Sequence, residues 1–169
     1  LSTLSKQNDC SMFMMLLALY NILLGKVTGK NDIVVGSPVS GRVNEDTENI
    51  IGVFINMLAL RNSPSEELRF TTFLDRVKAN TVACLDHEFY PYEDLVDELK
   101  IERDTSRNSL FDTMFVFHNF ERQIFELSGL GVQGYNLEQN VSKFDLSLSA
   151  MEDDGQVCFR FDYSSDLFL

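Results

Sequence analysis

Histidine is almost missing from this chain of 169 residues: it has two, His87 and His118. An enzyme that works alone needs a base or a nucleophile with partners, and few candidates exist. His87 follows a segment with helical periodicity, where a cation complements the helix dipole and helps satisfy end carbonyls. That structural role weighs against general-base catalysis. His118 closes a strand-like run beside Asn119 and reads as a hydrogen-bonded structural residue. Cysteine is scarce too. Cys10, Cys84 and Cys158 lie far apart, with no Cys-x-x-Cys spacing for a zinc ribbon or a dithiol site. No Gly-x-Ser-x-Gly elbow, Walker loop or dinucleotide fingerprint occurs, and no metal site is expected.

Basic charge is in short supply. Lys and Arg number 14 against 26 Asp and Glu, a formal charge of -12. Such a field repels polyanions, so neither nucleic acid nor a membrane surface is an expected partner. Long apolar runs are missing as well. Met12 to Leu24 is the strongest candidate, but Tyr20 and Asn21 interrupt it and it is too short to span a bilayer. No basic stretch leads an apolar segment, and unpaired cysteines suit a reducing compartment. A cytoplasmic protein is expected.

What remains is an ordinary globular composition, 44% hydrophobic and 24% charged. Asp9 or Ser11 caps a predicted helix over about Met12 to Val27, with Gly29 past its end. Its apolar residues lie nearly all round, so cover on more than one side is expected. Asp32 to Gly36 reads as a central strand that Ser37-Pro38 should end. Gly41 to Asn49 reads as loop or a short helical turn. Ile51 to Arg61 reads as a buried strand holding one amide, Asn56. Phe70 to Leu85 has helical spacing, and Pro91 opens a short helix from Tyr92 to Leu99 with Glu93 and Asp94 in its first turn. Leu110 to His118 is a further strand. Phe144, Leu146, Leu148 and Ala150 alternate with polar residues, as do Val157, Phe159, Phe161 and Tyr163. Asp153-Asp154-Gly155 between them predicts an antiparallel hairpin with one buried face. The fold class expected is α/β: a two-layer sandwich with a mixed sheet in one domain, residues 1–169.

Several segments carry a family resemblance. Ile51-Gly52-Val53-Phe54-Ile55-Asn56-Met57-Leu58-Ala59-Leu60-Arg61 resembles a signature with Gly, an aromatic pair, Val-Asn-Thr and a closing Arg. His87-Glu88-Phe89-Tyr90-Pro91-Tyr92-Glu93 is similar to His-Gln-Asp-x-Pro-Phe-Glu. Arg103 to Phe111 is similar to Arg-Asp-x-x-x-x-Pro-Leu-Phe, and Val34 to Arg42 to Val-Gly-x-Pro-x-x-Gly-Arg. These motifs, in this order, are those of condensation domains of nonribosomal peptide synthetases, and the resemblance covers essentially the whole chain. Glu88, Phe89, Tyr92, Met57 and Ser109 depart from the pattern.

The resemblance implies the C-terminal lobe of a domain built from two chloramphenicol-acetyltransferase-like lobes. The N-terminal lobe, with the catalytic His-His-x-x-x-Asp-Gly, matches nothing in this chain, so no catalytic residue is expected within it. The implied reaction is amide formation between two thioesters tethered to carrier proteins. No cofactor is expected to be bound directly; the phosphopantetheine arms belong to the upstream and downstream peptidyl carrier proteins. An adenylation domain in cis is implied as a further partner, beside the N-terminal lobe.

The implied roles are specific. Arg42 would pair with the Asp of the missing histidine motif; otherwise it is a surface Arg after a loop glycine. Asn56 would line the tunnel or bond backbone, since an unpaired buried amide costs about 1–3 kcal/mol. Gly52 would let a pantetheine arm approach, or simply end a loop. Ser147 and Ser149, with Asp145, would bond pantetheine amides if their face looks into the tunnel, and form a wet face or lobe contact otherwise. His87, Pro91, Arg103 and Asp104 read as structural motif residues, the last two as an ion pair or helix end. Two other functions remain open: a non-catalytic module that docks carrier proteins, and an acyltransferase for a soluble acceptor. A cleft-facing apolar patch should make the isolated chain self-associate.

Overall fold

The architecture comes from a computed structural model that describes residues 1–42, 45–102, 104, 106–118, 129–131, 135, 141–153 and 155–168. Chain order is α1 (Ser2–Gln7), α2 (Met12–Thr28), β1 (Ile33–Ser40), α3 (Glu45–Glu48), β2 (Ile55–Asn62), α4 (Phe70–Leu85), α5 (Tyr92–Glu98), β3 (Thr113–His118), β4 (Leu146–Asp153) and β5 (Gln156–Tyr163). The strands form one sheet in the order β2-β1-β3-β4-β5. β1 runs parallel to β3 and β3 parallel to β4, while β2 and β5 pair antiparallel at the two edges. The mixed α/β sheet expected from the sequence is therefore observed.

Local chemistry sets the helix ends. Ser11 caps α2 by accepting from the Met14 N–H, and Gly29 closes it in the left-handed conformation at φ 68°. Pro91 precedes α5, whose first turn holds Glu93 and Asp94. Nothing in the sequence pattern announces the short α1; its one buried residue, Ser5, donates to the Ser2 carbonyl.

One face of the sheet is dry. Met15, Leu17, Val35, Leu60, Leu74, Val77 and Phe115 are buried where α2 and α4 lie across β1, β2 and β3. Burying side chains of this size stabilises by about 1.5–3 kcal/mol each. The Tyr20 hydroxyl ties α2 to β3 through Thr113 Oγ1. α2 is covered on more than one side, as expected, by β1, α4 and α1, and four consecutive residues, Met15 to Ala18, are buried. Leu19, Leu23 and Val27, spaced by four, form its exposed stripe.

Three strand readings need correction. β1 does not stop at Ser37-Pro38 but continues to Ser40. In the parallel ladder that pairs Gly36 with Met114, the N–H of residue 38 would face the Phe115 carbonyl. Pro38 has no N–H, and the buried Ser37 Oγ donates to that carbonyl instead, at 2.9 Å. Next, β2 starts at Ile55, not Ile51, and is an edge strand; Ile51 and Val53 are 102% and 90% exposed. Finally, the β4–β5 hairpin has the predicted register, Leu148 opposite Phe161 and Ala150 opposite Phe159. Its apolar face is buried on β4 only, since Phe159, Phe161 and Tyr163 remain 51%, 46% and 54% exposed.

Candidate functional site

Three of the sequence-predicted positions, Arg42, Gly52 and Asn56, meet at one corner of the sheet, where β1 ends and β2 begins. Val39 pairs with Asn56 there, and the Gly41 N–H extends the ladder by donating to the Phe54 carbonyl at 2.9 Å. A side chain at residue 41 would collide with that carbonyl, which accounts for the glycine. Arg42 then turns back over the loop. Its guanidinium donates to the carbonyls of Thr47 and Gly52, the latter at 3.1 Å, and lies 4.3 Å over the Phe54 ring centre. Arg42 and Gly52, which belong to two different motif segments, are thus joined by one hydrogen bond.

Asn56 is half-buried, and its amide is fully engaged with backbone. Nδ2 donates to the carbonyls of Glu88 and Tyr90 at 2.7 and 2.8 Å, and Oδ1 accepts from the Tyr92 N–H at 3.3 Å. This amide holds the segment between α4 and α5 against the start of β2. His87 and Pro91 sit in that segment. The His87 N–H donates to the Cys84 carbonyl, and its own carbonyl accepts from Tyr90, so the residue forms a tight turn and is exposed. Two motif segments, the one around Asn56 and the one around Pro91, are therefore joined through a single side chain.

Asp104 closes its own turn by accepting from the Ser106 hydroxyl and N–H at 2.7 and 2.9 Å; these two bonds, the hydroxyl first, hold its carboxyl below the usual range. Arg103 lies outside the described residues. Among the described residues of this segment, Arg107 and Asp112 form a bidentate ion pair.

Ser147 and Ser149 stand apart from the Arg42–Asn56 corner. They pair with Met114 and Val116 on β3 and with Asp162 and Arg160 on β5. Alternation turns both half-buried hydroxyls to the sheet face opposite the α2–α4 layer. On the same face, the Phe111 ring occupies the space where a Gly36 side chain would stand. Tyr92 and Phe144 lie 5.5 and 5.9 Å from Phe111, centre to centre, forming an aromatic wall beside the serines' face. Burial raises the Tyr92 phenol pKa, opposed by the Leu110 backbone.

Sequence reasoning missed Phe54 and Phe111. Phe54 could have been found, because it stands between Gly52 and Asn56 in the motif run. Phe111 closes the Arg103 to Phe111 motif run and is marked by it in the same way, but its contact with Gly36, far away in sequence, could not be read from that run. Among the described residues, the groups that meet at the corner are carbonyls, a guanidinium and an amide, which serve positioning. Burial raises the thiols of Cys10 and Cys84, so neither is a poised thiolate. Among the described residues no cluster of three metal-ligating side chains occurs, and no helix is long and apolar enough to cross a membrane.

The chain is similar to proteins of one kind. The family model described as Condensation domain matches residues 1–169. Tyrocidine synthase 3 of Brevibacillus parabrevis is 47% identical over 168 residues, covering 99% of this chain and 3% of that protein. Bacitracin synthase 3 of Bacillus licheniformis is 44% identical over 168 residues, again covering 99% of this chain and 3% of that one. The chain thus spans a small part of the curated relatives it matches. Among solved structures, a four-domain nonribosomal peptide synthetase bound to AMP and glycine superposes with TM-score 0.87 at 22% identity, covering 99% of this chain and 14% of that one. The condensation domain of the Monacolin K polyketide synthase MokA gives 0.81 at 21% identity, with 98% and 38% covered.

Proposed function

Because the chain belongs to the condensation-domain family, we propose that it is the C-terminal lobe of a domain that forms amide bonds between two carrier-tethered thioesters. The amine of one aminoacyl group attacks the other thioester carbonyl, the C–S bond breaks, and the released thiol stays on its carrier. The chain's part is to hold two phosphopantetheine arms end to end and to exclude water, and such positioning lowers a barrier without a base. The observation that supports this most is the Arg42–Gly52–Phe54 lock beside Asn56. It fixes two motif segments at one corner through groups suited to positioning.

In this reading Arg42 meets the aspartate of a histidine motif on the N-terminal lobe, and its carbonyl and ring contacts hold the guanidinium ready. Gly52 and Asn56 border the tunnel, Asn56 by anchoring the segment through Tyr92. Ser147 and Ser149, beside the Phe111 wall, offer hydroxyls to the pantetheine amides. Peptidyl carrier proteins on both sides and an adenylation domain in cis are the partners, and the setting is cytoplasmic.

The test is a single-turnover reaction with the complete protein that carries this chain. A labelled aminoacyl group is loaded on one carrier and an acceptor aminoacyl group on the other. Amide product on the acceptor carrier is expected. Carriers that bind without product would overturn the reading in favour of a docking module. Another solved relative of the fold lends that alternative its one support: an X-domain of teicoplanin biosynthesis in complex with OxyB, at TM-score 0.82 and 20% identity.

A further inference from the structure

Tyr92 touches both halves of the candidate site. Its backbone N–H donates to Asn56 Oδ1 at 3.3 Å, and its ring lies 5.5 Å from Phe111, centre to centre. Its phenol oxygen is buried, with the Leu110 backbone nearby but no hydrogen bond of ordinary geometry among the described residues. Tyr92 therefore acts through its backbone on one side and through ring packing on the other. The segment it closes needs both. Residues 86–91 lie between α4 and α5, in neither helix nor strand, and Asn56 holds them by the carbonyls of Glu88 and Tyr90. One amide fixes the distance of that segment from β2 but leaves it free to swing; a second contact, through the Tyr92 ring, fixes its direction.

Phe111 carries that contact to the sheet. It is 5% exposed, and its ring presses on the β1 backbone so closely that a methyl at Gly36 would stand 2.1 Å from it. Phe111 also stacks on Phe144 at 5.9 Å and 30°. The residues that follow these two rings, Asp112 and Asp145, are joined directly, the Asp145 N–H donating to the Asp112 carbonyl at 3.1 Å. Phe144 and Asp145 lead straight into β4, which carries Ser147 and Ser149. Each of these contacts is internal to the chain and does not depend on what surrounds it.

We propose that Tyr92 is a positioning residue that couples the Asn56 corner to the serine face, holding segment 86–92 in place against both. This role rests on the amide-forming function proposed above, in which both regions border one tunnel. Reacting groups must be held closely in line for such a transfer, so a loosened brace slows amide formation without disturbing carrier loading. Asn56 and Phe111 then act in series through Tyr92, and their effects overlap, whereas independent sites add.

Two measurements on the complete protein that carries this chain test the coupling: single-turnover amide formation well below each variant's melting temperature, and hydrogen exchange on the same samples. Tyr92→Leu should slow amide formation about tenfold, with both carriers loaded normally. Tyr92→Phe, which keeps the ring, should recover most of that loss. Asn56→Ala combined with Phe111→Leu should cost about as much as the costlier single variant, not the product of the two. Phe111→Leu should quicken exchange in 86–92, and Tyr92→Leu should quicken it both there and at the Asp145 amide. Overturning results would be parental turnover in a folded Tyr92→Leu protein, a Tyr92→Phe protein as slow as Tyr92→Leu, multiplied losses in the double variant, or exchange in 86–92 unmoved by Phe111→Leu. A parent protein that loads both carriers yet forms no amide overturns the function alone; exchange in the same samples then decides the coupling by itself.

Discussion

β3 and β5 are built from the same kind of sequence, with aromatic and aliphatic residues on one face, yet they end in different surroundings. Phe115 on β3 is fully buried beneath α2, with the Phe13 and Tyr20 rings 5.3 and 6.1 Å away. Phe161 on β5 lies on the same face of the same sheet, two strands along, and is 46% exposed. Alternation decides which way a side chain points; only a covering element decides whether it becomes dry. The helix layer covers β1 to β4 and leaves β5 without cover among the described residues.

The sharpest way to break this contrast is by truncation on both strands. Phe115→Ala should cost about 3–5 kcal/mol through lost transfer energy and a residual cavity. Phe159→Ser should cost under about 1 kcal/mol at concentrations where the chain is monomeric. Urea unfolding of both variants checks this, and similar costs would mean that β5 is buried in solution. Gly36→Ala comes next. Its methyl would overlap the Phe111 ring on the far face, and moving that ring should cost about 1–3 kcal/mol. The further substitution Phe111→Leu should recover part of the loss.

Asn56→Ala addresses the corner instead of the core. It deprives the Glu88 and Tyr90 carbonyls and the Tyr92 N–H of their partner, at a cost of about 1–2 kcal/mol. Hydrogen exchange should quicken in 86–92 before it quickens in β3. The smallest effect belongs to the exposed pair at the other end of β1. Arg61 hydrogen bonds hold the Asp32 carboxyl below its usual range. A depressed folded-state pKa adds stability above the unfolded value and loses it as pH falls through the folded one. Asp32→Asn should therefore differ from the parent near neutral pH and converge with it in acid, as denaturant midpoints across pH would show.

Much of this was readable in the residues. Ser11 and Gly29 mark the ends of α2, Gly155 in the left-handed conformation sits at the start of β5 in the predicted β4–β5 register, and Pro91 places α5. Each depends on local chemistry. The misreadings depended on distant neighbours. Pro38 stays inside a strand because Ser37 supplies the donor that proline lacks, to a carbonyl 78 positions away. Ile51 and Val53 are exposed because β2 forms an edge and begins only after them. At the candidate site, the motif run marked Gly52 and Asn56. That Asn56 grips the Pro91 segment, and that Arg42 leans on Phe54, are contacts made only by folding.

The most direct test of the positioning role is single-turnover amide formation by the complete protein with Arg42→Ala or Arg42→Lys. Thioester loading of both carriers and the melting temperature would be recorded alongside. Product formation should fall steeply in Arg42→Ala and partly in Arg42→Lys, while loading stays normal and both proteins remain folded at the assay temperature. The Asp32→Asn protein, altered at the opposite end of β1, should turn over like the parent. Undiminished product from a folded Arg42→Ala protein would contradict the account.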